Sequence, residues 1–238
     1  MKKTYNWIPA FAGMTVTFIF YAYAFAGTIE GTIKYDGPVP APRLIHMDAD
    51  PICYTINKGN VHSSSLVLGD NNTLGNVFVY VKSGLTEVVS DQGTEPVVVN
   101  QAGCNYSPHV IGVMVGQKVK FLNPDGTLHN VHAMCKINPE FNEAMPDFRK
   151  EMEVSFNKPE FMFPIRCDVH PWMQAWVAVM AHPFFTVTGS DGKFEIKNVP
   201  NGTYVVEAWH EKLGAKTATI IVSDHSTQKA DFTFSEPK

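Results

Sequence analysis

The sequence predicts an all-β protein. Three observations carry that reading. Alternating or β-branched runs recur along the chain, each is short, and Gly, Pro, Asn or Asp bounds nearly every one. One helical turn is expected, from Pro139 to Met145. With 238 residues there is room for one large β domain or two small ones. Short strands at this spacing build sandwiches or barrels.

The chain opens with Lys2 and Lys3, then an apolar stretch from about Ile8 to Phe25, and reaches Ala24-Phe25-Ala26 before Gly27. That is the pattern of a secretory leader over residues 1–26, which implies a periplasmic or secreted protein. An uncleaved anchor is the alternative, but Pro9 and Gly13 interrupt the run and it is short for a full span. Strands are expected at Thr28–Tyr35, Asn76–Val81, Val110–Val115 and Lys118–Phe121. Others follow at Glu151–Phe156, Phe161–Arg166, Trp176–Met180, Lys193–Ile196, Thr203–Trp209 and Thr217–Val222. Asn123-Pro-Asp-Gly, Ser190-Asp-Gly and Pro200-Asn-Gly separate them as turns.

Without Lys2 and Lys3 the 19 basic side chains become 17, against 23 acidic ones, a net charge of −6. Nucleic acid demands a basic face, so that class of partner is excluded. No second long apolar run follows, so no stable membrane insertion is expected once the leader is gone. Four cysteines in an exported chain suggest disulfides. Spacing does not choose the pairing. Cys53 with Cys104 is favoured because neither lies close in sequence to ligand-like residues.

Those ligand-like residues gather in one place. Cys167-Asp-Val-His170-Pro-Trp-Met173 sets a thiol, an imidazole and a thioether on one loop, a soft donor set that suits copper rather than calcium or magnesium. A blue-copper centre needs a second imidazole, expected from an earlier strand end, and Thr127-Leu-His129-Asn-Val-His132 offers it. Residues three apart on a strand face opposite ways, so only one of His129 and His132 can reach the ion. A tetrahedral zinc site from His129, Cys135, Cys167 and His170 is the rival.

The stretch from Asn105 to Met180 resembles the cupredoxins, small blue-copper proteins with a Greek-key β-sandwich. Phe121-Leu-Asn-Pro-Asp-Gly-Thr-Leu-His129-Asn-Val-His is similar to their first-histidine segment, and Val115-Gly-Gln-Lys-Val-Lys-Phe to the turn and strand leading into it. The C-x-x-H-P-x-M spacing is that of the short, amicyanin-type ligand loop. The resemblance implies one type 1 copper held by His129, Cys167, His170 and Met173, with Asn130 bracing the ligand loop. It also implies redox partner proteins docking at an apolar patch formed by His170, Pro171 and Trp172, where the loop histidine's ring edge would reach solvent.

The flanks resemble something else. Gly27-Thr-Ile-Glu-Gly-Thr-Ile-Lys-Tyr and Gly189-Ser-Asp-Gly-Lys-Phe-Glu-Ile-Lys-Asn-Val-Pro-Asn-Gly-Thr-Tyr are similar to the two parts of a carboxypeptidase regulatory-like, transthyretin-like sandwich. The organisation this implies is a leader (1–26), a first part of that sandwich (27–93), a cupredoxin domain inserted into it (94–181) and the second part (182–238). Insertion at a loop tip is physically easy when the guest's ends lie close together. Three consecutive β modules are the alternative.

Four protein donors leave no position for a substrate. No His-x-His pair supplies a second copper site, and no Ser-His-Asp or paired-carboxylate pattern stands out. The expectation is an electron carrier and not an enzyme; a copper-stabilised binding or scaffolding module is the alternative. His109, His182 and His210 are expected as satisfied or exposed histidines, Trp176 and Trp209 as core or near-core, and Glu195, Glu207 and Glu211 as a solvated face.

Overall fold

The computed structural model describes residues 26–86 and 95–236, so the expected leader lies outside the described residues apart from Ala26. Before residue 87 come β1 (Ala26–Tyr35), β2 (Leu44–Ile45), α1 (Pro51–Asn57), β3 (Val61–His62) and β4 (Phe78–Ser83). The middle holds β5 (Val97–Asn100), β6 (Val110–Met114), β7 (Lys118–Leu122), β8 (His129–Ala133), β9 (Phe141–Met145), β10 (Glu151–Ser155), β11 (Glu160–Arg166) and β12 (Gln174–Met180). The last part holds β13 (Phe185–Val187), β14 (Lys193–Pro200), β15 (Gly202–His210), β16 (Gly214–Val222), β17 (Thr227–Lys229) and β18 (Phe232–Phe234). The protein is all-β.

Apart from the two-stranded β2-β3 ladder, the strands sort into two pairs of sheets. The middle strands form one pair, β10-β7-β5 and β6-β12-β11-β8-β9. Their inner faces meet in a core that includes Val119, Phe121, Val131, Ile165 and Val177. Strands from both ends of the chain form the other pair. In one sheet β1 lies between β14 and the parallel strands β17 and β18; in the other the order is β13-β4-β15-β16. Ile29, Ile33, Val79, Val206 and Phe234 fill that second core. Gly31 lets β1 approach the chain before β18, since a Cβ there would sit 2.2 Å from the Ala230 carbonyl oxygen.

A third apolar cluster joins the two units, and period-two alternation explains it. On β6, Ile111 and Val113 face the middle core, whereas Val110 and Met114 face outward onto Phe78 and Tyr80 of β4. β12 divides the same way, with Val177 and Val179 inward and Ala178 and Met180 outward. β4 in turn sends Val79 and Val81 into its own core. Strands buried on both faces read as unbroken apolar runs, and Val110-Ile-Gly-Val-Met is one.

One expected element is corrected. Phe141–Met145 is not a helical turn but β9, paired with β8 from His129↔Met145 to Ala133↔Phe141. The helix lies at Pro51–Asn57. There the Asp50 side chain accepts the Ile52 and Cys53 N–H groups as N-cap and Pro51 takes the first turn, where its missing N–H does no harm. Among the described residues no helix is long and apolar enough to cross a membrane.

Candidate metal centre

β8 delivers His129 and the loop between β11 and β12 delivers Cys167 and His170. Asn123 fixes the turn before β8 by donating through Nδ2 to the Thr127 and Met145 carbonyls. The ligand loop is pinned at both ends: the Cys167 N–H donates to the Met173 carbonyl, and the Met173 N–H to that of His170. Asn130, beside His129, accepts the Asp168 N–H through its side-chain oxygen at 2.7 Å, the bracing expected of it. The buried Tyr106 hydroxyl donates to the Asn130 and Arg166 carbonyls, so it ties the strands that carry His129 and Cys167.

The donor atoms of His129, Cys167 and His170 lie within 4.8 Å of one another, all buried. The two Nδ1 atoms face each other at 3.0 Å, and the Cys167 sulfur is 3.7 Å from the Nδ1 of His170. Each ring's far nitrogen sits on a carboxylate. Nε2 of His129 is 3.0 Å from Asp125, and Nε2 of His170 is 3.1 Å from Asp50. Such partners fix the tautomer of a ligating histidine. When Nε2 of each ring carries the proton shared with its carboxylate, both Nδ1 atoms and the Cys167 sulfur are placed to offer lone pairs to one shared cation.

Electrostatics reinforces this. Burial by itself would raise the Cys167 thiol, but hydrogen bonds from His129 and His170 overcome it and bring the pKa down to about 6. Burial disfavours charge on His129 and His170, yet hydrogen bonds to Asp125 and Cys167 for the first, and to Cys167 and Asp50 for the second, raise both. Metal ligation needs the thiolate, and here the fold favours it. An imidazole pair with a thiolate, closed off from water, is a donor set that fits copper. Met173, the fourth expected donor, is fully buried.

Other expected residues lie elsewhere. His132 points away from the cluster and bonds Asp168 and Glu140. Cys135 joins no ligand group among the described residues, and burial pushes its thiol up to about 12. The anticipated solvated face is partly wrong. Glu195 is exposed, but Glu207 is buried against Tyr80 and Lys82, and Glu211 bonds His109 and Trp176 where the two units meet. His210 is buried, and among the described residues its Nε2 has no partner.

The expected exposed histidine edge is also corrected: His170 is only 1 % exposed. Cys53 and Cys104 are disulfide-bonded, and the Cys53 sulfur lies 3.5 Å from the His170 Nε2. Asp50 and α1 thus cover the face that would have met solvent. Pro171 is exposed and Trp172 half-buried, its indole N–H donating to the Cys104 carbonyl and its ring 5.1 Å from that of His170. The sequence hid Asp50, Asp125 and the disulfide as site neighbours, because Asp50 and Cys53 are more than a hundred residues from the ligand loop. Asp125 could have been noticed, since it stands four residues before His129.

A model of the polysaccharide lyase family 4 domain II matches residues 168–230. No curated protein matches the chain. Among solved structures, an amicyanin variant in the Cu(I) state is 20% identical over 43% of this chain and 98% of its own, with a TM-score of 0.33. A purple cupredoxin from Nitrosopumilus maritimus is 23% identical over 35% of this chain and 99% of its own, at 0.30. A Cu-containing nitrite reductase from Thermus scotoductus SA-01 is 24% identical over 38% of this chain, at 0.33, and the match spans only 23% of the reductase.

Proposed function

We propose that the protein is a periplasmic or secreted type 1 copper electron carrier, with the metal held by His129, Cys167, His170 and Met173. The observation that carries this reading is the convergence of both Nδ1 atoms and the Cys167 sulfur in a buried pocket, each imidazole anchored behind by a carboxylate. Copper, when bound, supplies a one-electron Cu(II)/Cu(I) couple. The chain's own residues do the rest. Cys167 offers a thiolate, and Asp125 and Asp50 aim the imidazoles. Asn130 and Tyr106 hold the two ligand-bearing segments in register, and α1 with the disulfide keeps water out. Rigid ligation of this kind limits reorganisation when the charge changes.

The domain organisation belongs to the same proposal: the middle strands are a cupredoxin unit inserted into a carboxypeptidase regulatory-like sandwich. With His170 covered, redox partners would reach the centre through the Pro171 and Trp172 side of the loop, and small weak interfaces suit such exchange. The test is an absorption and electron-spin spectrum of copper-loaded protein. An intense red-end band with narrow copper hyperfine splitting is expected, and Cys167→Ser should abolish the band. Colourless metallated protein would overturn the reading. The likeness of residues 168–230 to domain II of polysaccharide lyase family 4 favours a second reading, a copper-stabilised binding or scaffolding module. Reversible electrochemical cycling of the loaded protein separates the two.

A further inference from the structure

Beside Trp172 the two units and the segment around β2 and β3 leave an open cleft of about 760 Å³. That is within the range of about 300–1,000 Å³ usual for small-molecule sites. Its wall has two characters. Leu44, Ile45, Pro171 and the half-buried Trp172 give it an apolar and aromatic side. Arg43 and Lys212 give it a cationic one. The same two residues also line an adjoining cleft of about 530 Å³, so they stand at the junction of both.

Neither cation forms an ion pair among the described residues, in contrast to Lys82, Lys118, Lys120, Arg149 and Lys197. The one acid in the wall, Glu211, is already committed: one oxygen bonds His109 and the other the Trp176 indole. The cleft wall therefore carries two cations against one carboxylate, next to an aromatic plane. An arginine fork matches a carboxylate, and an indole offers a stacking face to a flat ring.

We propose that this cleft binds a small aromatic carboxylate, its carboxylate toward Arg43 and Lys212 and its ring toward Trp172. The Trp172 ring that lines the cleft has its centroid 5.1 Å from that of His170. Its significance as an electron-exchange site rests on the carrier reading above, but binding itself does not.

The experiment is calorimetric titration of the full mature chain, metal-free and copper-loaded, with 4-hydroxybenzoate as probe and phenol as the carboxylate-free control. Saturable one-site binding is expected in both forms. Phenol should bind about tenfold more weakly or worse, and Arg43→Gln and Lys212→Gln should each weaken 4-hydroxybenzoate by about tenfold, the usual effect of one charge-assisted contact. Trp172→Leu should weaken both compounds. Circular dichroism of each variant checks that it folds. Absence of saturation in the millimolar range, or affinity unchanged in both charge variants, overturns the proposal, as does equal binding of phenol. A chain that binds the anion yet stays colourless with copper keeps the cleft and removes the carrier. A blue chain with no anion binding does the reverse.

Discussion

Asp50 carries three structural duties on one carboxylate. One oxygen caps α1 through Ile52 and Cys53, and the other accepts from His170 and Thr127. Asp50→Asn should leave the fold intact but weaken copper retention by about 10- to 100-fold, the usual penalty for losing such a partner; competition with a chelator measures it. Trp172→Ala should keep the copper spectrum and slow transfer to a redox partner, read by stopped-flow reduction. Away from the centre, His210 is buried and its pKa is pushed down to about 4 by that burial. The unfolded chain takes up the proton near pH 6.5 and the folded one resists until about 4, so stability is lost as pH falls through that window. At full extent the loss is about 3 kcal/mol. His210→Phe should flatten this part of the pH dependence, seen in urea midpoints at pH 7.5 and 4.5.

Among the elements, α1 is too short to persist by itself, and the Cys53–Cys104 bond is its covalent hold on the protein, beside the Asp50 and Asn57 hydrogen bonds. That link spans 51 residues of sequence, and closing such a loop in the unfolded chain stabilises the fold by about 4 kcal/mol. A Cys53→Ser, Cys104→Ser double variant should lose about that much in denaturant titrations. It should also exchange bound copper faster, because the cover over His170 is then free to open. The favoured pairing is the one observed, though the argument for it missed the essential point: the bridge lies against the ligand cluster. Strands with clean alternation, such as Lys118–Leu122 and Glu151–Ser155, were legible from sequence. β9 was not. Pro139, Asn142 and Glu143 read as a turn with helix formers, and only pairing along β8 makes that stretch extended. Likewise Pro51-Ile-Cys-Tyr-Thr-Ile-Asn looks β-branched and extended, but the Asp50 cap overrides the weak propensity.

At the scale of the whole molecule, the two units are not beads on a string. Phe78 meets Phe161 edge-on with centroids 6.1 Å apart, and Trp176 meets Trp209 edge-on at 5.4 Å, both across the join. Gly112 lies beneath this layer, where a Cβ would come within 2.5 Å of Phe185 and 2.7 Å of Phe78. Gly112→Val should wedge the units apart, lower the melting temperature and split one calorimetric transition into two. That Cys167 and His170 come together could be read from spacing, because they share a loop, and His129 joins them from β8. Burial of the loop histidine could not, because it depends on a segment from the distant first part of the chain. The placement of β1 has a consequence for biogenesis. It is the first described strand to leave the ribosome, yet β14, β17 and β18, its neighbours in the sheet, are among the last. The outer sandwich therefore stays unfinished until synthesis is nearly over, while the inner unit already has all its strands and can fold ahead of the sandwich packed against it.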